Sequence, residues 1–177
     1  GTNGEVVLGN KEWMVCCSAS AGPSFEGSDV HHGMRAARGA IEKLVIYKNN
    51  GKFEVEYNTI DNVRARGICG SGLLDCIANL VRNGIINRAG KFQKGLNDER
   101  LRETDNGLEF VIVKRQDSDI KTDIIITQAD ISNLIRSKAA IYAAISTLLK
   151  SMEMSIGDIS KVYIAGGFGN YLDIKSA

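Results

Sequence analysis

Three glycine-rich words hold the residues best suited to chemistry. Gly1-Thr2-Asn3-Gly4-Glu5 opens the chain. Gly67-Ile68-Cys69-Gly70-Ser71-Gly72 lies in the middle, and Ala165-Gly166-Gly167-Phe168-Gly169-Asn170 follows an apolar run near the end. In the first word, glycines around Thr2 and Asn3 let main-chain N–H groups and a hydroxyl come close to a phosphate. The same composition also makes a plain turn. The second word precedes a helical pattern, and the free N–H groups of a helix start attract anions. Bare glycine there would equally let a loop pack tightly on a sheet. In the third word a flat ring such as adenine would rest on Gly166-Gly167 without a clash. None of the three continues into Gly-Lys-Ser/Thr, and none completes the dinucleotide fingerprint.

Other reactive side chains are scattered. Cys16, Cys17, Cys69 and Cys76 form no Cys-x-x-Cys pair and fit no usual zinc spacing. Buried free thiols in a reducing cytoplasm are the expectation. Cys69 sits at a helix start, where a thiol pKa falls, so a reactive role competes with a structural one. His31-His32 resembles a metal pair, but adjacent side chains rarely converge on one ion, and loop histidines are the plainer reading. Glu26, Asp29 and Arg35 lie in a glycine-rich segment that would either face a cleft or meet solvent. Trp13 and Phe25 read as core rather than as a stacking platform.

These residues need elements to hold them. Runs 5–8 and 12–17 form a hairpin across Gly9-Asn10, which tolerate positive φ. Ser20 would cap a short helix with Pro23 in its first turn. Runs 41–47 and 53–57 form a second hairpin across Lys48–Lys52. Leu73, Leu74, Ile77, Leu80 and Val81 recur at helical spacing, with Gly84 at C′. Residues 87–107 read as an exposed irregular connection, 110–113 and 124–126 as short strands. The strongest helix starts near Thr127 and Asp130, which have capping-box spacing with Asp in place of Glu. Its buried stripe would be Ile131, Leu134, Ile135, Tyr142, Ile145, Leu148 and Leu149. A short helical turn then leads into a central strand ending at Gly166. No internal repeat or low-complexity tract is visible. The order gives an α/β class with a mixed sheet, in which ligands gather beyond the carboxyl ends of strands.

Composition narrows the function classes. The chain of 177 residues is 44% hydrophobic and 24% charged, enough for one domain with a real core. A net charge of +1 gives no bulk electrostatic case for nucleic acid or an acidic membrane surface. No apolar run approaches the roughly 20 residues a membrane span needs. The chain begins with glycine rather than methionine, so a fragment of a larger protein is expected. Nineteen glycines stand against one proline, clustered in motifs rather than spread along a linker.

The order of the motifs says more than any one of them. A Gly-Thr hairpin followed, near the other end, by a strand and Gly-Gly resembles the plan of the actin, sugar kinase and heat-shock chaperone superfamily, with its ribonuclease-H-like fold. The words "GTNGEVVLGNKEW", "CSASAGPSFEG", "GMRA..GAIE", "RGICGSGLLD", "ITQADISNLIRSKAAIYA" and "VYIAGGFGNYLDI" then resemble, in order and over nearly the whole chain, the C-terminal domain of the reductive activators of corrinoid proteins.

That resemblance implies one C-terminal nucleotide-binding domain over residues 1–177. It implies ATP with Mg²⁺, phosphate contacts from Gly1, Thr2, Asn3 and Gly4, and an adenosine pocket at Gly166, Gly167 and Phe168 with Asn170 nearby. It assigns no catalytic residue and no metal ligand within the chain. The family's Asp before the Gly-Thr pair, the opposite wall of the cleft and the iron–sulfur domain would lie elsewhere in the full protein, so this piece alone should not turn over ATP. The implied activity is ATP-driven reduction of an inactive cobalt(II) corrinoid to cobalt(I). The implied partners are a corrinoid protein and an electron donor such as a ferredoxin, in the cytoplasm, with a homodimer allowed and neither nucleic acid nor membrane involved. Three alternatives stand beside it: an activator of 2-hydroxyacyl-CoA dehydratases, suggested by Cys69; a kinase-type phosphotransferase; and a non-catalytic dimerisation or docking module built on the apolar helix 129–150.

Overall fold

The computed structural model describes residues 3–166. The chain begins with strands β1 (Gly4–Gly9) and β2 (Met14–Ala19), paired antiparallel. Asn10 makes the turn: its Oδ1 accepts from the N–H groups of Glu12 and Trp13 at 2.8 and 3.2 Å. Side chains alternate along both strands. Val6, Leu8, Val15 and Cys17 are half-buried, while Glu5, Val7, Met14, Cys16 and Ser18 are exposed.

Strands β3 (Ala40–Asn49) and β4 (Lys52–Thr59) form the second hairpin. The short strand β5 (Gly67–Ile68) joins β3 in parallel, which makes this sheet mixed. Helix α1 (Gly70–Arg82) follows directly, and Gly84 takes φ +66 just past its end. Strands β6 (Leu101–Thr104), β7 (Gly107–Val113) and β8 (Ile124–Thr127) build a third, antiparallel sheet. Helix α2 (Gln128–Ser151) then opens on a complete capping box between Thr127 and Asp130.

The core lies between α1, the β3 sheet, the β7–β8 pair and the first turns of α2. Phe110, Ile41, Ile68, Leu73, Leu80, Ile112, Ile124, Ile126 and Ile131 are sealed within it. The hairpin β1–β2 packs instead along the second half of α2. A Cβ at Gly4 would stand 3.7 Å from Ile141, and Cys17 Sγ lies 3.8 Å from the Ala144 carbonyl.

Several expectations require correction. The expected mixed sheet is present as β4-β3-β5, but two separate antiparallel sheets stand beside it among the described residues. Ser20 caps no helix: only a 3-10 turn, Ser24–Glu26, forms there, preceded by Pro23. Residues 87–107 are not an idle connection, for they contain β6, and Asp98 Oδ2 accepts from Phe53 N–H at 2.7 Å. Val81 and Tyr142 are exposed, at 37% and 69%, because helical periodicity ranks their faces by spacing alone. On α1 the buried positions include Asp75 and Asn79. Phe25 is half-buried against the core, whereas Trp13 is half-buried in the first turn, outside the core. Cys69 and Cys76 are buried and Cys17 half-buried, but Cys16 is exposed. The expected central strand is absent: residues 159–165 form no strand, and Val162, Tyr163 and Ile164 are 80%, 83% and 55% exposed. A β-prone run becomes a strand only beside a partner, and no described strand pairs with it.

Candidate functional site

The register of the first hairpin locates the predicted phosphate residues. Gly4 pairs with Ala19, so exposed Asn3 and the chain leaving β2 at Ser20 belong to the same hairpin end. From Ser20 onward the chain borders a cleft of about 510 Å³. Its walls are the 20–24 loop, Asp29, and Asn133, Arg136 and Ser137 of α2.

Local bonds hold this cleft in shape. Asp130, only 3% exposed, accepts from Thr127 N–H at 2.8 Å and from the Thr127 hydroxyl at 2.7 Å. Its other oxygen accepts from His31 N–H at 2.8 Å. Asn133 Nδ2 donates to the Asp29 carbonyl at 2.6 Å, and Arg136 donates to Asn133 Oδ1. The loop carrying Asp29 is thereby tied to the first two turns of α2. Gly27, at φ +85, sits where a Cβ would meet Met34 N at 2.3 Å. Only glycine permits that fold-back.

His31 and His32 meet edge to face at 4.5 Å. They do not offer a common ligand pair, because His32 Nδ1 accepts from Ile125 N–H at 3.1 Å. Burial, and then the neighbouring His31, push the His32 pKa below its ordinary 6.5.

The middle glycine word does tight packing. A Cβ at Gly72 would lie 2.3 Å from the Ile41 carbonyl oxygen, and one at Gly67 2.7 Å from that of His32. Ser71 Oγ donates to the Glu42 carbonyl at 2.8 Å, and Cys69 Sγ approaches the Ile41 carbonyl at 3.3 Å. Strand β3 therefore packs directly against the start of α1. Cys69, 3% exposed, is enclosed there rather than presented to a second subunit.

Of the residues expected to contact nucleotide, Asn3 and Gly4 stand at the cleft end of the hairpin. Gly166 is exposed at φ +101 with open space where a Cβ would stand, and it does not line the cleft. Gly1, Thr2, Gly167, Phe168 and Asn170 lie outside the described residues. Asp29 lines the cleft; exposed Glu26 and Arg35 do not. Sequence reasoning missed Asn133, Arg136 and Ser137. Their signal was three polar residues at i, i+3 and i+4 beside the apolar stripe of a strong helix.

The hairpin, the mixed sheet and the cleft against a long capped helix define a domain of the actin, sugar kinase and heat-shock chaperone (ASKHA) fold. The family model for the C-terminal domain of RACo, the ASKHA domain, matches residues 1–177, and the chain belongs to that family. A solved "Reductive activator for corrinoid,iron-sulfur protein" superposes with a TM-score of 0.91 at 53% identity, over 99% of this chain and 28% of that one. The "Corrinoid activation enzyme RamQ" of Eubacterium limosum is 38% identical over 184 residues, covering all of this chain and 30% of its own length. The "[Co(II) methylated amine-specific corrinoid protein] reductase" of Methanosarcina barkeri is 26% identical over 196 residues, again over all of this chain, and over 32% of its own. The chain thus spans about a third or less of each relative's length.

Proposed function

We propose that residues 1–177 are the C-terminal nucleotide-binding domain of an ATP-dependent reductive activator of corrinoid proteins. The observation that carries this reading is the pairing of Gly4 with Ala19, which sets Asn3 at the hairpin end leading into the polar cleft. Family membership and relatives named for corrinoid activation support it. The cleft offers serine hydroxyls, an asparagine and an arginine against one carboxylate, Asp29. That donor set suits a polyphosphate better than a bare cation.

In this reading Gly1, Thr2, Asn3 and Gly4 present main-chain N–H groups to the phosphates, while Ser20, Ser24 and Arg136 supply side-chain donors. Gly166, Gly167 and Phe168 form the adenosine surface, with Asn170 beside it. Mg²⁺ would neutralise phosphate charge, and an iron–sulfur cluster elsewhere in the full-length protein would pass electrons from a donor such as a ferredoxin. ATP binding and hydrolysis favour the conformational change that makes reduction of cobalt(II) to cobalt(I) possible, which requires different contacts in two states. Alone, this domain holds half a nucleotide site and turns over no ATP. The setting is cytoplasmic, and the full-length protein would work as a homodimer.

The test is nucleotide affinity and turnover in the full-length protein. Asn3→Asp places a negative charge beside the phosphates and should weaken ATP binding about tenfold, equivalent to about 1.4 kcal/mol. Turnover should rise with a corrinoid protein and not with sugars. Unchanged affinity in Asn3→Asp would remove the hairpin from the site.

A further inference from the structure

A second depression shares no residue with the polar cleft. It measures about 170 Å³ and is bordered by Arg38, Val63, Arg64, Arg66 and Asp119. Three arginines and one aspartate thus border it, in a chain with 22 basic and 21 acidic residues.

The main chain holds these charges together. Arg66 N–H donates to the Gly39 carbonyl at 2.8 Å, Gly39 N–H to that of Ile60 at 3.0 Å, and Asp119 N–H to that of Ala65 at 2.8 Å. Ala65 and Ser118 bridge as strand partners and are both fully buried. Arg64 and Arg66 flank buried Ala65, so backbone alternation turns both outward. Gly39 has φ +82, and a Cβ there would fall 2.8 Å from Arg66 Cγ. The Arg66 stem therefore lies across bare glycine, directly after Arg38 in the chain. Arg66 meets Asp119 at 3.5 Å with both side chains more than half exposed. Among the described residues, Arg38 and Arg64 form no ion pair.

Size decides the class of ligand. Small-molecule sites usually occupy about 300–1,000 Å³, so this notch is too small for a nucleotide and right for a single carboxylate. Exposed guanidiniums take carboxylates in forked pairs and steer acidic surfaces on approach. We infer that Arg38, Arg64 and Arg66 form a docking site for an acidic face of the protein partner. The partner's identity as a corrinoid protein rests on the function proposed above; the chemistry of the notch does not.

The test uses the full-length protein and its corrinoid protein, comparing wild type with the triple variant Arg38→Glu, Arg64→Glu, Arg66→Glu. Circular dichroism and basal ATP turnover should match wild type. Affinity for the corrinoid protein should fall at least about tenfold at low salt, chiefly through slower association, and the gap should narrow as salt rises. Equal affinity and equal salt dependence would overturn the inference. So would micromolar binding of inorganic phosphate that the triple variant loses while partner affinity holds. If wild type fails to bind the corrinoid protein, the functional reading falls by itself. An octaglutamate peptide then tests the notch: loss of binding in the triple variant sustains it, and no difference overturns it.

Discussion

Protonation of His32 opposes the contact its ring makes. Its Nδ1 accepts from Ile125 N–H, and a proton there would face another donor. The folded pKa lies below 6.5 through burial and then through His31, so the unfolded chain takes the proton first as pH falls. The stability that neutral His32 contributes is therefore full above about pH 6.5 and declines as pH drops from there through the folded pKa. Denaturant titrations from about pH 8 to about pH 5 should show this decline, and His32→Gln, which retains an acceptor and cannot titrate, should flatten it. Asp130 makes a stronger local demand. Replacing it with Ala removes the side-chain half of the capping box, the acceptor of Thr127 N–H, and leaves His31 N–H without its acceptor, at a cost of about 3 kcal/mol. A smaller loss, near that of an exposed cap alone, would mean the tie to the His31 loop carries no weight. At this scale the sequence showed the capping pair, because its spacing is local. It did not show that Asp130 also serves residue 31, since that bond spans 99 positions.

Helix α1 shows how an element can substitute for a strand. Asp75, Asn79 and Asn83 recur every four residues along the face toward β3. Asn79 Oδ1 accepts from Ile46 N–H at 3.1 Å, and its Nδ2 donates to the Leu44 carbonyl at 3.2 Å. Asn83 Nδ2 donates to the Ile46 carbonyl at 2.8 Å, and Asp75 accepts from Leu44 N–H at 3.3 Å. The edge that β5 leaves unpaired is thus satisfied by side chains, which buried main chain requires. Close approach makes this possible, and Gly72 sets the approach. Gly72→Ala should force helix and strand apart and lower stability by about 2 kcal/mol or more, seen as a lower denaturation midpoint. A neutral result would show that the 2.3 Å approach to the Ile41 carbonyl relaxes freely. The Asp-Asn-Asn spacing was readable, yet apolar periodicity drew attention to Val81, which is exposed. Both hairpins and both helices were legible because turn and cap chemistry lie within a few residues of each other. The run before Gly166 was misread because strand pairing depends on a distant partner.

Across the whole molecule, packing and charge separate two surfaces. The hairpin β1–β2 rides on the second half of α2, and its Gly4–Ala19 end opens toward the cleft walled by the first half. The arginine notch has its own frame, built from the loops at 38–39, 63–66 and 118–119. Sequence motifs pointed to the phosphate end of the hairpin, since glycine and threonine types announce it. The cleft wall on α2 stayed hidden, because it exists only once the 20–31 loop folds onto that helix. No described helix is long and apolar enough to cross a membrane. The central claim is that nucleotide meets the hairpin end and the cleft together. Hydrogen exchange of the full-length protein, with and without a non-hydrolysable ATP analogue, tests it most directly. Amides at residues 3–4, 20–24 and 133–137 should slow together when the analogue is added. Protection elsewhere, with those three segments exchanging as before, would contradict the account.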